Sequence, residues 1–225
     1  MWIEFKGINS EELGIVVENL PIAPNPIRNV TPIIIPGMDG SLVQTDDTYP
    51  DMEYAVLCRA LPSAPFRLIN DWLCGSGDLI TSREPDKKYR ARFNARQSDN
   101  DLYIFLRTTL SFMVYPFMFD AETETITLTS SGTIYNTGTR FSFPIITVYG
   151  AGTLTIGDYE LTISATAGEA YVIINSEIQE CYYTSALNRG NKVTGEFPQI
   201  DPGECAVTLG AGITRVDIQG NWRYR

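Results

Sequence analysis

The last hundred residues hold no stretch that a helix could use. From residue 125 onward, apolar runs rich in Thr, Val, Ile and Tyr appear at 125–129, 145–148, 153–156, 159–163, 170–174 and 213–218. Glycine, proline and short polar residues punctuate the segments between them. β-Branched and aromatic side chains lose rotamer freedom in a helix and suit a pleated, half-buried surface. Runs of this length alternate faces as strands do, and six of them joined by turns predict a β-sandwich. Gly157-Asp158 lies between two such runs and marks a tight hairpin.

The first half is also rich in strand patterns. Residues 2–6, 13–17, 51–61, 78–81, 88–95 and 102–112 read as strands, with a turn at 7–10. One helix is expected over 65–73. Pro65 suits its first turn, Phe66, Ile69 and Leu73 recur on one face, and Gly75 and Gly77 stop it. Pro21, Pro24 and Pro26 hold the chain extended. Two β-rich arms follow, at 27–35 and 41–45, around the turn Pro36-Gly37-Met38-Asp39-Gly40, and predict a hairpin. Pro32 cannot donate to a ladder, so its arm should be an edge. Ile33, Ile34 and Ile35 are consecutive, cannot all face one side, and leave an apolar edge that invites pairing with another chain. The polar residues 120–124 mark a boundary, giving expected domains at 1–120 and 121–225.

The chain contains no histidine. Ser-His-Asp and Cys-His catalysis, H-E-x-x-H zinc sites and two-His iron sites are thereby excluded. No P-loop and no G-x-S-x-G elbow is present. Histidine-free glycosidases need two carboxylates. Asp46/Asp47 and Glu122/Glu124 are the pairs on offer, but acids in polar stretches are ordinarily solvated charges. No catalytic residue, metal ligand or cofactor is assigned.

The net charge is −10, from 17 basic and 27 acidic residues, and neither half offers a basic stripe for phosphates. Specific nucleic-acid binding is not expected. Such an acidic surface serves solubility, and it would also repel DNA passing nearby. No apolar run is long enough for a membrane span, and the N-terminus lacks a signal-peptide pattern. Cys58, Cys74, Cys181 and Cys205 form no C-x-x-C pair and are expected as free thiols.

The order of short motifs resembles the distal tail protein (Dit) family of siphophages and prophages of Gram-positive hosts. In the first half these are Phe5-x-Gly7, Leu13-Gly14-Ile15-Val16, Ile35-Pro36-Gly37-x-Asp39-Gly40, Leu61, Trp72-Leu73 and Tyr115-Pro116-Phe117. In the second half they are Asn136-x-Gly138, Pro144, Gly150-x-Gly152, Gly195-x-Phe197-Pro198, Pro202-Gly203 and Trp222-Arg223. Met38 departs from the family's loop, where a basic residue is expected.

The resemblance implies a mainly β protein: an N-terminal β-sandwich with one helix and a protruding hairpin, plus a C-terminal galectin-like β-sandwich. It implies a structural, non-enzymatic role at the virion tail tip, for a protein made in the bacterial host cytoplasm. A homo-hexameric ring would be formed by the N-terminal domains, joining the tail tube protein to the tail-associated fibre or lysin protein and to receptor-binding baseplate proteins. DNA would pass through its lumen. The expected subunit interface comprises Ile33, Ile34, Ile35, Pro36, Gly37, Asp39 and Gly40. The alternative is a carbohydrate-binding module for host cell-surface glycans. Against it, the second half has no histidine, and its only tryptophan is Trp222. Sugar affinity tighter than about 10 µM is therefore not expected.

Overall fold

A computed structural model describes residues 1–22, 25–46, 48–98, 106–164, 168–184 and 187–225. The chain divides into two compact units, Met1–Ala121 with Arg225, and Glu122–Tyr224.

The first unit contains β1 (Ile3–Phe5), β2 (Ile8–Asn9), β3 (Ile15–Asn19), β4 (Val30–Ile33), β5 (Leu42–Thr45), β6 (Met52–Ala60) and α1 (Phe66–Trp72). It continues with β7 (Ser76–Thr81), β8 (Glu84–Ser98), β9 (Leu106–Val114) and β10 (Phe119–Asp120). Most strands join one antiparallel sheet in the order β2-β1-β7-β8-β9-β6-β3, with β10 paired to the start of β8. Strands β1 and β9 are three ladder steps apart, about 14 Å in a flat sheet. Yet the rings of Phe5 on β1 and Phe112 on β9 meet edge to face at 5.2 Å. The sheet therefore curls until its two limbs face each other as the layers of a sandwich. A bulge between Phe93 and Ala95 on the long strand β8 lies in this curl.

Helix α1 closes the unit. Trp72 donates its indole N–H to the Phe5 carbonyl at 2.8 Å and packs edge-on against the Phe5 ring. The buried face is Ile69, Trp72 and Leu73, and Phe66 is exposed. This corrects the expected Phe66/Ile69/Leu73 stripe: an indole brings more apolar area and a donor that needs a buried acceptor, so it takes the inward place. The motifs Phe5-x-Gly7 and Trp72-Leu73, far apart in sequence, thus meet in one core.

The second unit contains β11 (Thr125–Leu128), β12 (Gly132–Asn136), β13 (Ile145–Gly150), β14 (Gly152–Ile156), β15 (Tyr159–Ile163), β16 (Tyr171–Asn175) and β17 (Glu180–Tyr182). It ends with β18 (Val193–Gly195), β19 (Gly203–Leu209) and β20 (Ile213–Gln219). Two antiparallel sheets form, β11-β20-β13-β16-β17 and β12-β19-β14-β15-β18. Inward residues from both, including Ile146, Val148, Leu154, Ile156, Ile174, Val207 and Ile218, make one closed core. This is the mainly β class and the second sandwich that the periodicity predicts.

Several motif residues have a local cause here. Asn136 is buried; it donates to the carbonyls of Ile200 and Arg140 and accepts from the Gly138 N–H. A side chain at Gly138 would come within 2.6 Å of the Arg223 carbonyl oxygen. Gly150 and Gly152 have φ of +100° and +149°, and a Cβ on either would collide with the Gly212 or Ala211 carbonyl. The chain turns there between the two sheets at a separation only glycine permits.

Candidate functional site

Strands β4 and β5 form a two-stranded sheet that pairs with no other strand among the described residues. The register runs Val30↔Thr45, Thr31↔Gln44, Pro32↔Val43 and Ile33↔Leu42. The tip is built by local chemistry. The Met38 N–H donates to the Ile35 carbonyl at 3.1 Å, closing a turn with Pro36 second and Gly37 third. Gly37 has φ of +85°, so the order Pro-Gly suits a type II turn, in which the third residue needs a positive φ.

The base of the hairpin is tied down. The Asn29 N–H donates to the Thr48 carbonyl, and the Asn29 amide reaches the Thr48 hydroxyl. Asp46 accepts from the Thr48 N–H and hydroxyl, which holds its carboxyl below the usual range. Arg28 donates to the Tyr49 hydroxyl, and the Tyr49 ring meets Phe117 edge to face at 5.2 Å. Phe117 in turn meets Tyr115, so the Tyr115-Pro116-Phe117 motif supports the foot of the hairpin.

Between foot and tip the hairpin is uncovered. Val30, Ile33, Ile34, Ile35, Met38, Leu42 and Val43 are all exposed, Ile34 to 80%. Pro36, Gly37, Asp39 and Gly40 are exposed with them. All seven residues expected at the subunit interface therefore lie together on one projecting element. Its lead-in adds exposed Ile22 and Ile27. Single exposed apolar residues are ordinary, but a continuous group on a two-stranded ribbon is not, because such a ribbon is marginal in water without cover.

Three of the four acids considered for glycoside hydrolysis lie in the described residues. Asp46 is engaged in its turn, Asp47 lies outside the described residues, and Glu122 and Glu124 are exposed. No group of three Cys, Asp or Glu residues among those described could hold a metal. The cysteines are free thiols. Burial pushes Cys58 up to about 12 and Cys181 up to about 11, so neither is a ready thiolate. A cleft of about 190 Å³ opens beside Cys181, between Asn188 and Phe197. Trp222 is partly buried and packs against the core of the second sandwich. Among the described residues, no helix is long and apolar enough to cross a membrane.

The curled sheet with its helix and hairpin, followed by a closed sandwich, defines the fold class: mainly β, in two units. One solved structure with a similar fold is the Dit protein (gp 19.1) of SPP1, described as a paradigm of the hub adsorption apparatus in phages that infect Gram-positive bacteria. The TM-score is 0.73, over 97% of this chain and 98% of that one, at 15% sequence identity. No family model matches the sequence, and no curated protein matches it. The likeness is thus one of fold, and it covers both units.

Proposed function

We propose that this protein is a structural subunit of a phage tail tip, a hub protein that assembles into a closed homo-hexameric ring through its first unit. The observation that carries this reading is the free hairpin, with its apolar residues exposed along both arms. A neighbouring subunit supplies the missing cover. In a ring each subunit gives one hairpin and receives one, and such head-to-tail contacts close only at a fixed rotation. The ring joins the tail tube protein to the tail-associated fibre or lysin protein, with receptor-binding baseplate proteins as further partners. The acidic chain leaves DNA free to pass. The role is non-enzymatic, in the virion and not in a membrane.

The edges of the ribbon are unequal. Pro32 has no N–H to give, so the rungs to β5 fall on its neighbours and the outer edge of β4 has a gap at its centre. The outer edge of β5 is unbroken by proline and is the edge on which a neighbour would add a strand.

The test is the variant Ile34→Asp. A buried, unpaired charge at the contact costs several kcal/mol. Light scattering on the native chain is expected to show six times the 25.1 kDa of one subunit, and the variant to show a folded single subunit by circular dichroism. Rings that persist in the variant would show that the hairpin is not the joint. Loss of the fold itself would place Ile34 within its own subunit.

A further inference from the structure

A hairpin that reaches onto a neighbour needs a surface to receive it. Among the described residues, the curled sheet of the first unit ends in β2 at one side and β3 at the other, and neither end strand pairs further. Strand β2 has only two residues, Ile8–Asn9, and cannot hold a strand in register. Strand β3 has five, Ile15–Asn19. It contains neither proline nor lysine, the residues that ordinarily blunt an edge, and Val16 is 38% exposed on its outward face.

The hydrogen bonding of β3 shows which groups lie on that edge. The Leu61 N–H donates to the Gly14 carbonyl at 2.8 Å, so Gly14 and Leu61 form a bonded pair just before the strand. Bonded and unbonded pairs alternate along an antiparallel ladder. Val16, opposite Arg59, therefore bonds to β6, while Ile15 and Val17 aim their N–H and C=O groups to the open side. The Ile15 N–H is taken by the Ser10 carbonyl, which leaves Val17 with both a donor and an acceptor there. A bulge between Val17 and Asn19 ends the regular edge.

The free edge of the hairpin has the same form. Pro32 stands opposite Val43 and has no N–H, so the rungs of the ribbon fall on Thr31–Gln44 and Ile33–Leu42. Val43 then turns its own N–H and C=O outward, and its side chain is 58% exposed.

We propose that β5 of one subunit adds antiparallel to β3 of its neighbour, with Val43 opposite Val17. This rests on the ring reading and names the strand that receives the hairpin. Every strand pair of the described first unit is antiparallel, so a parallel addition would be the exception. Residues opposite each other share a face. Val43 comes beside Val17 and continues the buried apolar row of β3, and Gln44 falls opposite Val16. The β4 edge, interrupted by Pro32, becomes the outer rim of the enlarged sheet.

The experiment uses the full chain with Cys74, the exposed thiol, replaced by serine. Val16→Cys and Gln44→Cys together are expected to give, on mild oxidation, a disulfide ladder reaching six chains on a non-reducing gel. Opposite positions of an unbonded antiparallel pair bring Cα atoms to about 4.5 Å, within disulfide reach. Either cysteine alone is expected to leave single chains. Val43→Pro removes the outward donor and spares the ribbon's own rungs. It is expected to drop the mass in light scattering from six subunits to one, with the fold kept by circular dichroism. Val43→Thr, which keeps the donor, is expected to keep the ring. No ladder from the double variant, or a hexamer that survives Val43→Pro, would overturn the pairing alone. A native chain that is a single subunit, or a hexamer that survives Ile34→Asp, would overturn the ring reading and the pairing with it.

Discussion

The hairpin at 30–45 and the second sandwich are made from the same kinds of residue, yet they leave those residues in opposite situations. In the sandwich, Ile146, Val148, Ile174 and Ile218 are completely or almost completely buried between two sheets. In the hairpin, Val30, Ile33, Ile34 and Val43 have a partner strand but no second layer, and all are exposed. β-Propensity brings strands into being in both places. Only a facing layer turns their apolar side chains into stability. The sandwich carries its own second layer, and the hairpin has none among the described residues. In the proposed ring, that difference makes the hairpin the element that needs a partner.

The comparison can be tested by mutation. Phe112→Ala, which empties the centre of the curled sheet, is expected to cost about 3–5 kcal/mol in urea denaturation of the first unit. A loss below about 1 kcal/mol would mean that the two limbs of the sheet do not share a core. Gly138→Ala pushes a methyl group against the Arg223 carbonyl and is expected to cost about 1–3 kcal/mol, read as a lower midpoint for the second unit.

Asp217 gives a smaller, pH-dependent effect. Burial alone would raise its pKa; hydrogen bonds from Arg215 and Thr127, and the Arg215 charge, outweigh burial and hold it below the usual aspartate value. Because the folded pKa lies below the unfolded one, its contribution is present above the unfolded value and is lost as pH falls through the folded value. Acid titration of Thr127→Ala should show a smaller loss, complete at a higher pH, than in the native chain. An unchanged profile would mean that the Thr127 bond does not stabilise the carboxylate.

The smallest effect is expected where the contrast is greatest. Ile34→Thr, measured at a dilution where the chain is a single subunit, should alter stability by less than about 0.5 kcal/mol. A larger loss would show that the hairpin packs on its own subunit.

Much of this was legible in the sequence because the governing signals are local. The Pro36-Gly37 turn, the Gly157-Asp158 hairpin and the helix near Trp72 each rest on the conformational limits of a few adjacent residues. Other elements escaped for physical reasons. Strand β12 carries Asn136 where an inward apolar residue belongs, and that asparagine is acceptable only because Ile200 and Arg140, distant or out of line in sequence, offer it carbonyls. Strand β19 alternates properly, but its inward residues Cys205 and Val207 are small and gave a weak signal. The outward placing of Tyr149 and Tyr171 follows from parity, since Val148 and Val172 face inward. The seven hairpin residues stood out in the sequence because consecutive isoleucines beside a proline conflict with any simple inward-outward pattern.

Pro32 has one more consequence. A ribbon with two competent edges can recruit a copy on each side, and every newcomer offers a fresh edge, which is how stacked β-structure grows into fibrils. A proline in the middle of one outer edge interrupts that edge, leaving a single side for recruitment. Growth by strand addition then stops after one partner instead of running on. Pro32→Val, which restores the missing donor, should therefore raise thioflavin-positive aggregation of the full chain; in the proposed ring the proline would be the terminator that keeps the ribbon from polymerising without limit.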